Sequence, residues 1–363
     1  MSQEHNIAAV AREFQIPGEF LEATPYGSGH INDTWCVVSS RAGVPVRSIL
    51  QRINQGIFTN PVALMENIER VTTHLAAKVL GEPDCDRRVL TLIPARDGRP
   101  WHVNAEANYW RAYRFIDGAR SYDAVETTGQ AFQAAKAFGR FQKLLVDLPA
   151  PRLHDTIRDF HSTPKRFAAL QQAVASDVAG RTILAKPEIE FVFANQSVAN
   201  IFVDANLPER VTHNDTKFNN VLIDGATGEG ICVIDLDTVM PGSVLFDFGD
   251  MVRTTTSPAN EDERDLSKVH MQFPMFEALV RGYLSSAGRF LTKAEKHYLA
   301  SSAKVITFEQ GIRFLTDYLA GDTYYKVHRD GHNLDRCRTQ FKLLESIIQQ
   351  GESMEKLVNS IEP

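Results

Sequence analysis

The chain is poor in cysteine, in long apolar runs and in basic charge. Its four cysteines, Cys36, Cys85, Cys232 and Cys337, are scattered through 363 residues without CxxC spacing. A disulfide framework is therefore excluded, and we expect four reduced thiols. No apolar run approaches the roughly 18 residues that a membrane span requires. Lysine and arginine number 39 against 45 acidic residues, so neither nucleic acid nor a membrane surface is an expected partner.

Other absences narrow the function classes further. The N-terminal residues lack the apolar core of a secretory signal, so we expect a cytoplasmic protein. Neither GxxxxGKS nor GxxxxGKT occurs, which excludes a P-loop nucleotide site, and no repeat indicates a solenoid. What is present suits a globular protein of one or two domains, with 43% hydrophobic and 23% charged residues.

The secondary-structure pattern changes near residue 116. Short runs rich in β-branched and aromatic residues precede it, interrupted by a helical pattern over residues 61–80. Beyond it the apolar spacing is mostly helical, apart from a β-type stretch over residues 211–235. These patterns predict an α+β chain with a small β-rich N-terminal lobe, residues 1–116, and a larger, mainly helical C-terminal lobe, residues 117–363.

A glycine-rich stretch, Tyr26-Gly-Ser-Gly-His-Ile-Asn32, precedes a predicted strand over residues 33–38. A dinucleotide-binding fingerprint needs a third glycine where Asn32 stands and a helix afterwards, so that interpretation is rejected. Gly27 and Gly29 then lie in a turn between two strands. The turn is either an ordinary hairpin or one whose backbone N–H groups cover phosphates.

A second motif places His213, Asp215, Lys217 and Asn220 in one loop, with the spacing HxDxKxxN. Two short strands joined by a glycine-rich turn follow, over residues 221–224 and 231–235. In an antiparallel hairpin the start of the first strand lies beside the end of the second, so Asn220 is expected next to Asp235. Asp237 is expected on the same side if the chain stays extended.

These residue types favour phosphoryl transfer. Asn220 and Asp235 offer the oxygen ligands that Mg²⁺ prefers, while substrate phosphates and water supply the others. Asp215 is placed to accept the proton of an attacking hydroxyl, and Lys217 to neutralise charge on the transferred group. The alternative, solvated carboxylates in turns, does not explain four polar residues at fixed spacing followed by a hairpin.

The HxDxxxxN loop followed by IDxD resembles the aminoglycoside phosphotransferase and choline kinase superfamily, which has a bilobal protein-kinase-like fold. Motifs at residues 25–32, 212–217, 234–243, 245–250 and 313–318 are similar to those of the N-acetylhexosamine 1-kinases. Those enzymes use ATP and Mg²⁺ to phosphorylate the anomeric hydroxyl of N-acetylglucosamine and N-acetylgalactosamine. The resemblance implies the same activity here, with ATP and Mg²⁺, a small sugar substrate, and a monomer or weak homodimer.

The resemblance also implies residue roles. Asp215 matches the catalytic base, and Asn220 and Asp235 match the metal ligands. His213 matches a loop histidine with a structural role. The positions that match nucleotide-contacting segments are Gly27, Ser28, Gly29, His30 and Asn32 in the covering loop, and Phe115 and Ile116 in the adenine connector.

One departure concerns the phosphate contact. Kinases of this fold usually carry a lysine on the third strand, paired with a helix glutamate. Here residues 48–53 offer Gln51 or Arg52, and the alternation of the strand does not show which of them faces inward. Arg52 can carry charge to a phosphate, so we assign the contact to Arg52. Glu66 and Glu69 are both candidate helix partners, and a solvated helix face explains either equally well.

Asp247-Phe-Gly249 spells the protein-kinase magnesium triplet, but Asp235 and not Asp247 ends a clear strand. We therefore predict that Asp247 anchors the catalytic loop through hydrogen bonds and that Asp235 binds the metal. If the assignment is reversed, Asp247 would be the residue that turnover requires.

Glu309, Arg313 and Asp317 recur at four-residue steps on one helix. They form either an exposed ladder of ion pairs or a polar stripe lining a sugar pocket. The resemblance favours the pocket, with Arg313 and Tyr324 as substrate residues beside Asp215. Two alternative functions stay open: a related phosphotransferase for an aminoglycoside, choline or homoserine, and a nucleotide-binding pseudokinase.

Overall fold

The N-terminal part of the chain is built on an antiparallel sheet. The computed structural model describes residues 6–27 and 31–362, and there six strands form one sheet in the order β1-β2-β3-β6-β4, with β5 also paired to β6. The strands are Glu19–Pro25 (β1), Asp33–Arg41 (β2), Val44–Arg52 (β3), Leu92–Ile93 (β4), His102–Val103 (β5) and Tyr109–Arg114 (β6). Helix α1, Ile7–Arg12, packs on the sheet in a cluster that contains Val10 and Trp110.

Strand register places polar side chains next to one another across this sheet. The turn between β2 and β3, Ala42 and Gly43, has positive φ at both positions, as a two-residue type I′ hairpin requires. With this register Gln51 of β3 lies between Thr34 of β2 and Arg111 of β6. Residues paired in this way share one face of the sheet.

Helix α2, Pro61–Val79, confirms the helix predicted over residues 61–80. It begins where Asn60 accepts a hydrogen bond from the N–H of Ala63 and where Pro61 fits the first helical position. Its apolar residues recur at three- and four-residue steps and are buried in the main core: Leu64, Met65, Ile68, Val71 and Leu75.

The C-terminal part is mostly helical. Its helices are Thr128–Leu144 (α3), Thr163–Ser176 (α4), Lys186–Ala194 (α5), Val244–Thr255 (α6), Phe273–Ala287 (α7), Lys293–Leu319 (α8) and His332–Ser360 (α9). Short strands lie among them: Ala119–Arg120 (β7), Arg210–Thr212 (β8), Val221–Asp224 (β9), Gly230–Val233 (β10) and Met240–Gly242 (β11). β9 and β10 form the predicted antiparallel hairpin, to which β7 adds, and β8 pairs with β11.

Glycines allow close approach between these helices. A Cβ at Gly282 of α7 would overlap the backbone oxygen of Phe132 in α3, and a Cβ at Gly249 of α6 would lie 2.5 Å from the carbonyl oxygen of Ser302 in α8. Helix α6 is thereby held against α8. It lies directly behind the catalytic loop, residues 213–220, and Asp247 of α6 is hydrogen-bonded to the backbone of that loop.

The architecture confirms the α+β prediction, with the sheet in the N-terminal part and helices in the C-terminal part. The chain passes from β6 to β7 through residues 115–118, where the predicted boundary lies. All four cysteines are free. In residues 6–27 and 31–362, no helix is both long and apolar enough to cross a membrane.

Candidate active site

A cavity of about 700 Å³ is lined by both parts of the chain, a volume typical of small-molecule sites. Part of its wall is apolar and aromatic, from Tyr26, Ile49, Tyr113, Phe115 and Ile116. The edge of Tyr26 meets the ring of Phe115 at a centroid distance of 5.6 Å. The predicted connector residues Phe115 and Ile116 thus line the same cavity as the motif residues. The polar part of the wall includes the carboxylates of Asp215 and Asp235 and the side chains of Lys217, Asn219 and Asn220.

His213 fixes the shape of the catalytic loop from inside the core. Its side chain is buried, and the ring packs edge-on against Phe138 and Phe141. The Nε2–H donates to the carbonyl of Ile234 at 2.9 Å, and Nδ1 accepts from the backbone N–H of Asp215 at 3.3 Å. His213 therefore links β10 to the backbone of Asp215 and has a structural role.

Asp215 carries an ionised carboxylate that is held between two motif residues. Lys217 Nζ lies 3.0 Å from Asp215 Oδ1, and Asn220 Nδ2 donates to the backbone oxygen of Asp215 at 2.8 Å. Burial raises the pKa of Asp215, but the charge and hydrogen bond of Lys217, together with nearby His213 and Arg253, hold that pKa below its usual value. The pKa of Lys217 is raised in turn by the charge of Asp215. The carboxylate is thus available at neutral pH to accept a proton.

The hairpin brings Asn220 beside Asp235, because the N–H of Ile234 donates to the carbonyl of Asn220 at 2.9 Å. Burial, together with the nearby charges of Asp237 and Asp215, raises the pKa of Asp235 to about 6. Within the described residues, no donor is hydrogen-bonded to the Asp235 carboxylate. An amide oxygen and a buried carboxylate without donors suit a hard divalent cation, which would offset the negative charge.

Asp237 does not continue along the same side, contrary to the extended geometry considered from the sequence. Asp235 has a left-handed backbone, φ 57°, and begins a 3₁₀ turn over Leu236–Thr238. This turn directs Asp237 towards the sheet, where it forms an ion pair with Arg111.

Asp247 lies behind the catalytic loop, as its predicted anchoring role requires. It is fully buried in the first turn of α6, and its carboxylate accepts from the backbone N–H groups of His213, at 2.9 Å, and Asn214, at 2.6 Å. Gln142 of α3 donates to the same carboxylate at 2.6 Å. Asp247 is not among the described residues that line the cavity.

A second anchor was not predicted from the sequence. The carboxylate of Asp250 accepts from the N–H of Thr216 at 3.0 Å and from Arg253 Nε at 2.9 Å. Arg253 lines the cavity and also pairs with Glu261. The three-residue spacing of Asp250 and Arg253 on a helix was the available signal, because residues so spaced are neighbours on one face.

The described ends of the glycine-rich stretch line the cavity. Gly27, with φ 81°, and Asn32 both line it. Asn32 Nδ2 donates to the carboxylate of Asp237. The other predicted loop residues, Ser28, Gly29 and His30, lie outside the described residues.

The structure separates the two candidates for the phosphate contact. Gln51 lines the cavity, whereas Arg52 is absent from the described lining and pairs with Asp33 while also donating to Asn108. Arg52, to which the contact was assigned, is therefore not brought to the other site residues. The strand directs Gln51 to the cavity and Arg52 away from it because successive side chains alternate between faces. Arg111, which the sequence reasoning missed, lines the cavity beside Gln51.

The two candidate helix glutamates are exposed on α2 and are not brought to the cavity. Glu66 is hydrogen-bonded to His154 Nε2 at 2.7 Å, and Glu69 lies on the same solvent-facing side. Neither belongs to the described cavity lining.

The stripe on α8 is not an exposed ladder, because neighbouring segments cover it. Glu309 is buried and accepts from Thr163, while Asp317, also buried, accepts from backbone N–H groups of residues 323–325. Arg313 lies over the rings of Phe160 and Tyr325, at 5.2 and 5.7 Å from their centroids.

The predicted substrate residues Arg313 and Tyr324 are outside the 700 Å³ cavity. Tyr324 is largely exposed. Next to Arg313, Glu309 Oε1 is 2.8 Å from His161 Nδ1, and His161 Nε2 is 3.1 Å from the carbonyl oxygen of Asn214. Burial lowers the pKa of His161, but Glu309 outweighs that effect and raises it above its usual value.

Several solved structures share the fold of this chain. An aminoglycoside phosphotransferase from Alicyclobacillus acidocaldarius shares the fold with a TM-score of 0.66 at 13% identity, covering 99% of this chain and 98% of that one. A choline/ethanolamine kinase family protein from Mesorhizobium loti has a TM-score of 0.56 at 17% identity, covering 96% and 97%. The microcompartment-associated aminopropanol kinase has a TM-score of 0.55 at 17% identity, covering 96% and 98%.

These similarities confirm the predicted bilobal, kinase-like fold. The sequence model described as the phosphotransferase enzyme family matches residues 22–277, well over half of the chain. The chain therefore belongs to the phosphotransferase enzyme family.

Proposed function

We propose that the protein phosphorylates the anomeric C1 hydroxyl of an N-acetylhexosamine, N-acetylglucosamine or N-acetylgalactosamine, with ATP and Mg²⁺. The observation that carries the phosphotransferase part is the convergence of Asp215, Asn220 and Asp235 on one cavity with an aromatic wall. A spectinomycin phosphotransferase and an aminoglycoside phosphotransferase of similar fold were crystallised with ADP. The wall formed by Tyr26 and Phe115 suits an adenine ring.

Asp215 acts as the general base in this proposal. The sugar oxygen forms a bond to the γ-phosphorus while the bond from that phosphorus to the ADP oxygen breaks, and the hydroxyl proton passes to the Asp215 carboxylate. The pKa of Asp215 is below its usual value, so the carboxylate is ionised before the sugar binds. Lys217, 3.0 Å from that carboxylate, holds it in place and adds positive charge near the transferred group.

Asn220 and Asp235 would hold Mg²⁺. When bound, Mg-ATP supplies the phosphoryl group and a cation that offsets the phosphate charge. His213 and Asp247 keep the loop rigid, so that these side chains are positioned before substrate arrives.

The sugar specificity rests on the sequence resemblance, and the charge near the catalytic loop supports it. Aminoglycosides, choline and aminopropanol are cationic, and a pocket for them needs several carboxylates. The carboxylate of Glu309 is already paired with His161, and the neighbouring group is the cation Arg313. Arg313 lies outside the 700 Å³ cavity, so this charge favours a neutral acetamido sugar over an amine only on the side of the loop that faces His161.

An acceptor panel tests the proposal. Purified protein with Mg-ATP is offered N-acetylglucosamine, N-acetylgalactosamine, galactose, choline, homoserine and an aminoglycoside, and ADP release is measured. We expect turnover with the N-acetylhexosamines. Turnover with an amine alone would contradict the sugar assignment, and Mg-dependent ATP binding without turnover of any acceptor would favour a pseudokinase.

A further inference from the structure

An ion pair joins the N-terminal sheet to the turn that follows the metal-binding position. Arg111 of β6 and Asp237 of the 3₁₀ turn are both almost completely buried, with 1% and 4% of their side chains exposed. Neither residue has a part in the chemistry described above. Because Asp237 lies two residues after Asp235, the contacts that fix Asp237 also fix the turn that begins at Asp235, the proposed metal ligand.

On the sheet side, the guanidinium of Arg111 is held by a row of polar side chains. Arg111 Nε donates to Gln51 Oε1 at 2.9 Å, and Gln51 Nε2 donates to Thr34 Oγ1 at 3.0 Å. The row crosses β6, β3 and β2, so the position of the guanidinium is set by three adjacent strands.

The second carboxylate oxygen of Asp237 reaches the glycine-rich turn. One oxygen pairs with Arg111, and the other accepts from Asn32 Nδ2. Asn32 Oδ1 accepts from the backbone N–H of Asn54 at 3.0 Å, which fixes the orientation of the Asn32 amide. A single buried carboxylate thus ties the end of the glycine-rich turn to the sheet.

The same 3₁₀ turn is bonded to the catalytic loop. Thr238 Oγ1 donates to the carbonyl of His213 at 2.7 Å, and Asn214 Nδ2 donates to the carbonyl of Thr238 at 2.9 Å. Asp237 therefore stands where the sheet, the glycine-rich turn and the catalytic loop meet.

We propose that Asp237 is a positioning residue which, paired with Arg111, sets the spacing between Asn32 and Asp235 in the cavity for a nucleoside triphosphate. This inference rests on the proposed use of Mg-ATP and is independent of which acceptor is phosphorylated. On β3, where kinases of this fold usually carry a lysine, this chain offers Gln51 to the cavity, and Gln51 is bonded to Arg111. Asp237 is not a metal ligand: both of its oxygens are engaged, and the left-handed Asp235 directs it away.

Nucleotide binding without acceptor tests this role. Mg-ADP affinity is measured by calorimetry for the wild type, Asn32→Ala, Asp237→Asn, Arg111→Gln and the double variant Arg111→Gln/Asp237→Asn, each at several free Mg²⁺ concentrations. The double variant leaves no unpaired buried charge, so it keeps the test usable if a single variant fails to fold. Asn32→Ala leaves the ion pair intact and removes the bond to the glycine-rich turn.

We expect each folded variant to bind Mg-ADP about tenfold more weakly, with the double variant no weaker than the singles because the two residues act as one unit. The Mg²⁺ concentration for half-maximal binding should stay as in the wild type, and the KM for ATP should change more than kcat. The exposed pair of the same lobe, Arg99 and Asp97, serves as the control: Arg99→Gln/Asp97→Asn should bind as the wild type does.

Two results would overturn the inference. If Asp237→Asn raises the Mg²⁺ requirement at least about tenfold and Arg111→Gln does not, Asp237 is a metal ligand. If Asn32→Ala and the double variant are folded and bind Mg-ADP as the wild type does, the pair has no positioning role. A wild type that binds no Mg-nucleotide would instead contradict the proposed function itself, which is a separate outcome.

Discussion

The carboxylate of Asp247 accepts a hydrogen bond from the backbone N–H of His213 at 2.9 Å. A residue in the first turn of α6 therefore determines the backbone of a loop more than thirty residues earlier in the chain. Gln142, which also donates to Asp247, accepts in turn from Tyr283, so the anchor extends into α3 and α7. The helical core thus supports the catalytic loop. Residues of the core hold the loop in place, whereas residues of the loop are proposed to act on the substrate.

Replacing Asp247 should lower the stability of the protein, because Asp247 holds the backbone of the catalytic loop. In Asp247→Ala three buried donors lose their acceptor, so we expect the free energy of unfolding to fall by about 2–5 kcal/mol, measured by urea denaturation. Asp204→Ala, at an exposed aspartate, is the matched control and should be within about 0.5 kcal/mol of the wild type. An Asp247→Ala protein as stable as the wild type would show that the anchor is dispensable.

Replacing Asp235 should instead lower turnover without lowering stability. Because its carboxylate is buried with a raised pKa and without described donors, we expect Asp235→Asn to be at least as stable as the wild type. Turnover should fall by about 10²-fold or more as a ligand for the cation is lost. The assignment is wrong if Asp235→Asn stays active while Asp247→Asn is folded and inactive.

Removing Asp215, the proposed general base, should lower kcat and leave nucleotide binding unchanged. Asp215→Asn keeps the size of the side chain but cannot accept the hydroxyl proton, so kcat should fall by about 10²–10⁴-fold. Mg-ADP affinity, measured by calorimetry, should change little. Comparable loss of nucleotide affinity and of kcat would place Asp215 in metal or nucleotide binding.

The ion pair of His161 and Glu309 should make stability depend on pH. The pKa of His161 is raised, so its contribution is present below the ordinary histidine pKa of about 6.5 and is lost as pH rises through the higher folded value. Burial raises the pKa of Glu309, but the hydrogen bond and charge of His161, together with Thr163 and Arg313, outweigh burial and lower it. The contribution of Glu309 is therefore lost as pH falls below about 4.3.

Urea unfolding at several pH values checks this dependence. The difference in stability between the wild type and His161→Gln should be largest between about pH 4.3 and about pH 6.5 and should shrink as the pH rises above about 6.5. A difference that does not vary with pH would mean that His161 is not protonated in the folded protein.

Close packing of α3 and α7 provides a test of the fold. In Gly282→Ala the new Cβ would overlap the backbone of Phe132, so the free energy of unfolding should fall by about 1–3 kcal/mol. Gly129→Ala, in the first turn of α3 and with its nearest atom at 3.8 Å, should instead be neutral or more stable by up to about 1 kcal/mol. Equal effects of the two substitutions would contradict the helix packing.

The sequence predicted the fold class and the motif loop because both depend on local patterns. Loop spacing together with a hairpin was sufficient to place Asn220 beside Asp235, since strand pairing joins residues close in the chain. The strand residues after the glycines likewise predicted the strand that begins at Asp33. The resemblance added the kinase-like architecture.

What the sequence did not show depends on strand register and on contacts between distant segments. Gln51 and not Arg52 faces the cavity because β3 is paired in one register with β6, and that register is not visible in either strand alone. Asp237 turns towards Arg111 because Asp235 is left-handed, a backbone choice that residue type does not determine. Glu309 and Asp317 are buried by α4 and by the segment after α8, which helical spacing does not reveal.

The central claim is that Asp215 directs phosphoryl transfer to the C1 hydroxyl of an N-acetylhexosamine. The most direct test is ³¹P and ¹H NMR of the product formed from N-acetylglucosamine or N-acetylgalactosamine and Mg-ATP, with Asp215→Asn in parallel. We predict phosphorus coupled to the anomeric proton in the wild-type reaction and no such product from the variant in the same time. Phosphate on any other hydroxyl, or equal product from Asp215→Asn, would contradict the account.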